Sequence, residues 1–82
     1  MTLKYKLYKD VVARAATQLN WNLKQVHSSV RITSHNTIIN GKSLVGILSA
    51  HMRFNDEIII TIDEPADADE IKEYFNEVGR EI

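Results

Sequence analysis

Between Leu3 and Tyr8 the chain alternates, with Leu3, Tyr5 and Leu7 on one parity and Lys4 and Lys6 on the other, the period of a half-buried strand. The period then lengthens. Val12, Ala16, Leu19, Leu23 and Val26 recur at spacings of 4, 3, 4 and 3, the apolar stripe of an amphipathic helix. Asp10 is placed to cap that helix, because a carboxylate accepts from the free N–H groups of a first turn. Val30 and Ile32 alternate with Arg31 and Thr33, and Thr37-Ile38-Ile39 resumes strand character after the polar Ser34-His35-Asn36, so a hairpin is predicted.

Asn40-Gly41 ends the hairpin, and Ser43 offers a second N-cap ahead of a short apolar helix, Leu44, Val45, Ile47 and Leu48, which Gly46 weakens in isolation. After the Asn55-Asp56 turn, Glu57-Ile58-Ile59-Ile60-Thr61-Ile62 carries isoleucine at both parities and reads as a central strand. Asp63-Glu64-Pro65 opens a last helix, with Asp67, Asp69 and Glu70 near the positive end of its dipole and an inward stripe of Ala68, Ile71, Phe75, Val78 and Ile82. The predicted order is βαββαβα. It gives an α+β, open-faced β-sandwich: a four-stranded antiparallel sheet with three helices on one face.

Length sharpens this picture: 82 residues, 44% of them hydrophobic, make one domain spanning 1–82 and leave few apolar side chains to spare for a deep pocket. Ten basic residues against eleven acidic ones, interspersed, give a net charge of −1 and no basic face for a phosphate backbone, so direct nucleic-acid binding is not expected. No cysteine is present for a disulfide, a thiolate metal site or a thiol nucleophile. The N-terminal residues lack the apolar run of a signal peptide, and no apolar stretch is longer than the three residues of Ile58-Ile59-Ile60, so neither export by that route nor membrane insertion is expected. The expected location is the cytoplasm.

Three separated motifs carry a resemblance: Asn40-Gly41-Lys42-Ser43-Leu44-Val45-Gly46-Ile47-Leu48-Ser49 followed by Asn55-Asp56-Glu57-Ile58, Ala13-Arg14-Ala15-Ala16 towards the start, and Asp67-Ala68-Asp69-Glu70-Ile71 towards the end. In this register the chain resembles the HPr family, the small phosphocarriers of the bacterial sugar phosphotransferase system, over essentially its whole length. That family has the same order of elements. It carries its phosphoryl group on a His immediately before Ala-Arg-Pro-Ala, where a neutral imidazole serves as nucleophile and its phosphoramidate stays labile.

The resemblance puts Val12 at the carrier position, Asp10 where the family has Gly, and Ala15 where it has Pro. An aliphatic side chain accepts no phosphoryl group, so no catalytic residue and no phosphocarrier activity at the usual site are expected. His27, His35 and His51 stand away from the helix start that would receive the phosphate, and no His-x-x-x-His pair advertises a metal. No cofactor and no metal are expected.

Ser43 matches the family's regulatory Ser, which a dedicated ATP-dependent kinase phosphorylates in Gram-positive relatives. A phosphate there would face free helix N–H groups, with Lys42 beside it, although Ser at an N-cap is also ordinary capping chemistry. Arg14 matches an Arg that meets phosphoserine in repressor complexes. The family docks partners through its first two helices, which here offers Leu44, Val45 and Leu48 with Val12 added to the patch. Trp21 and Phe54 are further aromatics free to extend it or fold inward.

The pattern is similar to the Crh-type branch, which lacks the carrier His. It implies a regulatory protein-binding module or corepressor controlled by phosphorylation of Ser43. The implied partners are proteins: an HPr kinase/phosphorylase and a catabolite-control repressor, or a phosphotransferase-system enzyme. Two alternatives stand beside this reading: a phosphorylation-independent docking or decoy module, and a true phosphocarrier using another His. A monomer is the default expectation, with a dimer formed by exchange of the first strand as the alternative.

Overall fold

A computed structural model describes residues 1–82. The strands are β1 (Thr2–Leu7), β2 (Val30–Ser34), β3 (Thr37–Asn40), β4 (Glu57–Ile62) and β5 (Gly79–Glu81). The helices are α1 (Ala13–Leu23), α2 (Leu44–Ser49) and α3 (Ala68–Asn76), the last entered through a 3-10 turn at Pro65–Asp67. All strand pairs are antiparallel, in the order β3-β2-β4-β1-β5.

Alternation does what the sequence requires. Leu3, Tyr5 and Leu7 point to the helix side, as do Ile58, Ile60 and Ile62 of β4, and all six are buried. Leu3 lies opposite Ile60 and Tyr5 opposite Ile58, so the two rows share one face. From the helices, Ala16, Leu19 and Leu23 of α1, Ile47 of α2, and Ala68, Ile71 and Phe75 of α3 join them in a single core of 19 residues. Burying each such large aliphatic or aromatic side chain stabilises the fold by roughly 1.5–3 kcal/mol. Ile59, on the opposite parity, remains on the uncovered face of the sheet.

The sheet has five strands, not the expected four. Helix α3 ends at Asn76, Val78 is buried after the helix has stopped, and Gly79–Glu81 turns back to pair with β1. Ile82 therefore lies outside the stripe assigned to it: its N–H donates to the Lys4 carbonyl at 2.9 Å and its side chain is exposed. Gly79 permits the return, since a Cβ there would stand 2.5 Å from the Lys6 carbonyl oxygen.

The start of α1 also departs from expectation. The N-cap position belongs to Val12, with no side-chain cap. Asp10 is drawn off by the loop after α2: its Oδ1 accepts the Phe54 N–H at 2.8 Å and its Oδ2 lies 3.7 Å from Arg53. The hairpin turn is tighter than the tripeptide predicted. Ser34 is the last residue of β2, leaving a two-residue loop in which His35 (φ 52) and Asn36 (φ 62) are both left-handed.

Candidate functional site

The candidate residues named from sequence fall at two helix starts, those of α1 and α2. At α1 the chain arrives extended at Val12 (φ −134) and turns sharply at Ala13, whose φ of 48 is a left-handed conformation that an L-residue with a Cβ adopts at a cost. The amides of Ala13 and Arg14 have no acceptor within the chain. Arg14 is exposed and makes no ion pair. This end of α1 thus presents free N–H donors and a free guanidinium.

At α2 the expected cap is present. Ser43 Oγ accepts the Gly46 N–H at 3.1 Å, and the Ser43 carbonyl accepts from Ile47 at 3.0 Å. The approach to Ser43 is held tightly. Asn40 Oδ1 accepts the Lys42 N–H at 2.9 Å, and the Gly41 N–H donates to the Val30 carbonyl at 2.7 Å. A Cβ on Gly41 would meet Leu23, Val30 and the Val30 carbonyl oxygen at 3.1 Å, so glycine here lets the loop seat against α1 and β2. Asn20, buried on α1, reaches the Gly41 carbonyl at 3.4 Å, tying the two helices through this loop. Lys42 Nζ turns to the Val26 carbonyl, 2.6 Å away. Its ammonium is committed to the end of the α1 region.

The patch named from sequence divides by exposure. Val45 is 74% exposed, with Leu48 and Val12 less so, and Leu44 is half-buried against the core. Trp21 (63% exposed) and Phe54 both point outward, so neither folds in.

The three imidazoles lie elsewhere. His27 is exposed in the α1–β2 connection. His35 Nε2 pairs with Asp56 Oδ2 at 2.9 Å. His51 follows α2 with φ 51, the left-handed residue that often ends a helix. His35 and His51 line one hollow together with Ser34, but no group of three metal-ligating side chains forms.

Two tyrosines have displaced acidities. Burial, with Glu81 nearby, pushes the Tyr5 phenol up. The hydrogen bond to Glu70 pushes Tyr74 up to about 12. Tyr74 belongs to a groove between α1 and α3, lined also by Lys9, Arg14, Gln18, Asn22 and Glu77. Sequence reading did not find this groove, because its residues come from a loop and two helices with no common spacing.

A five-stranded antiparallel sheet with three helices on one face defines the class: small, open-faced β-sandwich domains. The chain belongs to the HPr family of the phosphotransferase system; the family model described as the PTS HPr component phosphorylation site matches residues 2–78. Members of that family are phosphocarriers rather than catalysts, and their partners are proteins of the same system.

Solved structures agree in fold. The histidine-containing phosphocarrier protein of Mycoplasma superposes with a TM-score of 0.81 at 22% identity, covering 94% of this chain and 93% of that one. Phosphocarrier protein HPr of Bacillus anthracis gives 0.80 at 20% identity over 95% and 93%. HPr-C-His of Thermoanaerobacter tengcongensis gives 0.76 at 20% over 93% and 85%. No curated protein matches the chain by sequence. No helix is long and apolar enough to cross a membrane.

Proposed function

We propose that this protein is an HPr-family regulatory module that does not carry phosphate at the usual site and acts through Ser43. The observation that carries the reading is the cap. Ser43 Oγ already receives the Gly46 N–H at the start of α2, beside the exposed Val45 and Leu48. A phosphoryl group added there brings about −1.5 to −2 charges and three acceptor oxygens to a helix start, which can hold them. In this reading Arg14, Leu44, Val45, Leu48 and Val12 meet the partner, a catabolite-control repressor, and an HPr kinase/phosphorylase sets the state of Ser43. Val12 at the start of α1 supports the loss of phosphotransfer, since no nucleophile stands beside the free amides there.

A second reading is a docking or decoy module for phosphotransferase-system proteins that needs no phosphorylation. One observation favours it: the Lys42 ammonium is bound to the Val26 carbonyl, which leaves a phosphate on Ser43 without the neighbouring cation expected from sequence.

The test is intact mass after separate incubation with HPr kinase plus ATP and with phosphoenolpyruvate plus the first phosphotransferase enzyme. The expected result is a gain of one phosphoryl group with ATP only, lost in Ser43→Ala. A gain with phosphoenolpyruvate in both the wild type and Ser43→Ala overturns the reading in favour of a carrier. No gain with either donor, together with partner binding that survives Ser43→Ala, selects the docking module.

A further inference from the structure

Neither the cap on α2 nor the apolar patch uses the groove between α1 and α3. Two hollows adjoin along it, with volumes of about 260 Å³ and 370 Å³. Lys9 and Arg14 line only the first, and Glu73 only the second, whereas Gln18, Asn22, Tyr74 and Glu77 line both. Both cations thus line the first hollow together with Glu77, and the second hollow carries Glu77 and Glu73 without a cation.

None of those four charged side chains is spent on an ion pair, although five other pairs form on this molecule. The floor is apolar. Leu19 and Val78, each 2% exposed, are joined by Ala15 and the Tyr74 ring. Gln18 Nε2 donates to Asn22 Oδ1 at 3.3 Å, which leaves Gln18 Oε1 to accept from a guest and the Asn22 Nδ2 group to donate to one. Tyr74 donates to Glu70, which holds the phenol in place.

A concave apolar floor with a few convergent polar groups is the usual form of a small-molecule site. Here the polar groups carry both signs, with Lys9 and Arg14 beside Glu77 in the first hollow and Glu73 added in the second. A simple anion would be repelled at Glu77 and a simple cation at Arg14. We propose that this groove binds a small zwitterion with an aliphatic side chain, of the α-amino-acid type. Its carboxylate faces Lys9 and Arg14, its ammonium faces Glu77 and Glu73, and its side chain lies on Leu19 and Val78. The proposal does not depend on the state of Ser43, which does not line the groove. Solvent-exposed charges give weak individual contacts, so affinity falls in the millimolar range.

The test uses the isotope-labelled full chain, unphosphorylated, titrated by NMR with L-leucine. Parallel titrations use 4-methylpentanoate, which lacks the ammonium, and 3-methylbutylamine, which lacks the carboxylate. The expected result is saturable shifts confined to the amides of 15–22 and 73–78, with either analogue binding at least about threefold more weakly than leucine. Glu77→Gln and Arg14→Gln, both at exposed positions, should each weaken leucine by about threefold, while Glu77→Gln leaves 4-methylpentanoate binding no weaker than before. Three outcomes overturn the proposal: no saturable shift, shifts that map outside the groove, or analogues that bind as tightly as leucine.

Discussion

Ser34 carries the only buried side-chain oxygen without a hydrogen-bond partner. The strand period makes it so: Val30, Ile32 and Ser34 share one parity, and that parity faces the helices. A buried hydroxyl left unpaired costs about 1–3 kcal/mol, which alanine would not incur. Ser34→Ala should therefore raise stability by about 1 kcal/mol, read as a higher urea midpoint with an unchanged slope. A lower midpoint would mean that the hydroxyl has a partner.

Tyr74 makes the pH-dependent case at the same scale. Its neutral phenol is held by Glu70 and its pKa is pushed up to about 12, above the unfolded value. The contribution of this group to stability is thus complete below the ordinary tyrosine range and disappears as pH rises through the folded value. In an absorbance titration Tyr74 should ionise near 12, and Glu70→Gln should bring it down towards 10. An unchanged titration would remove Glu70 as the cause.

Among the elements, those with a local signal were legible and those made by distant neighbours were not. Ser43 capping α2 involves a residue only three positions away, so the sequence reading and the geometry coincide. Asp10 had the right chemistry for the same role at α1, but Phe54 and Arg53, far along the chain, hold its carboxylate. The end of α3 failed for a related reason. Val78 and Ile82 continue a helical spacing by coincidence, and a three-residue strand has no period of its own to compete with it.

The glycine at the head of β5 was the available clue. Gly79→Ala would drive a Cβ against the Lys6 backbone and should destabilise by about 1–3 kcal/mol, with the loss concentrated in the β1–β5 pairing. Faster hydrogen exchange at the Tyr8 and Ile82 amides, which donate to Val78 and Lys4, would report it. Unchanged protection there would show that the strand tolerates the side chain. For the candidate site the division is similar. Ser43, Val45 and Leu48 stand within one short segment and could be named from it, whereas the α1–α3 groove exists only once the chain has folded.

Over the whole molecule, α1 separates two surfaces. On one side it packs with α2 beside the Ser43 cap and the exposed Val45, and on the other it faces α3 across the groove. Arg14 lies at the head of α1 and lines that groove, so a guest there and a partner on the patch would both meet the same guanidinium. Occupancy of one would then be felt at the other, in both directions and by the same factor.

The sheet order has a further consequence. β1 lies between β4 and β5, so both of its partners come from the second half of the chain. The row of Leu3, Tyr5 and Leu7 is at least 50 residues away in sequence from the nearest strand that pairs with β1. The hairpin of β2 and β3 can close locally, but the centre of the sheet needs residues 57–81. Closure of the sheet's centre thus rests on pairings of long sequence separation, which are the slow ones to form, and until they form the row of Leu3, Tyr5 and Leu7 is uncovered apolar chain.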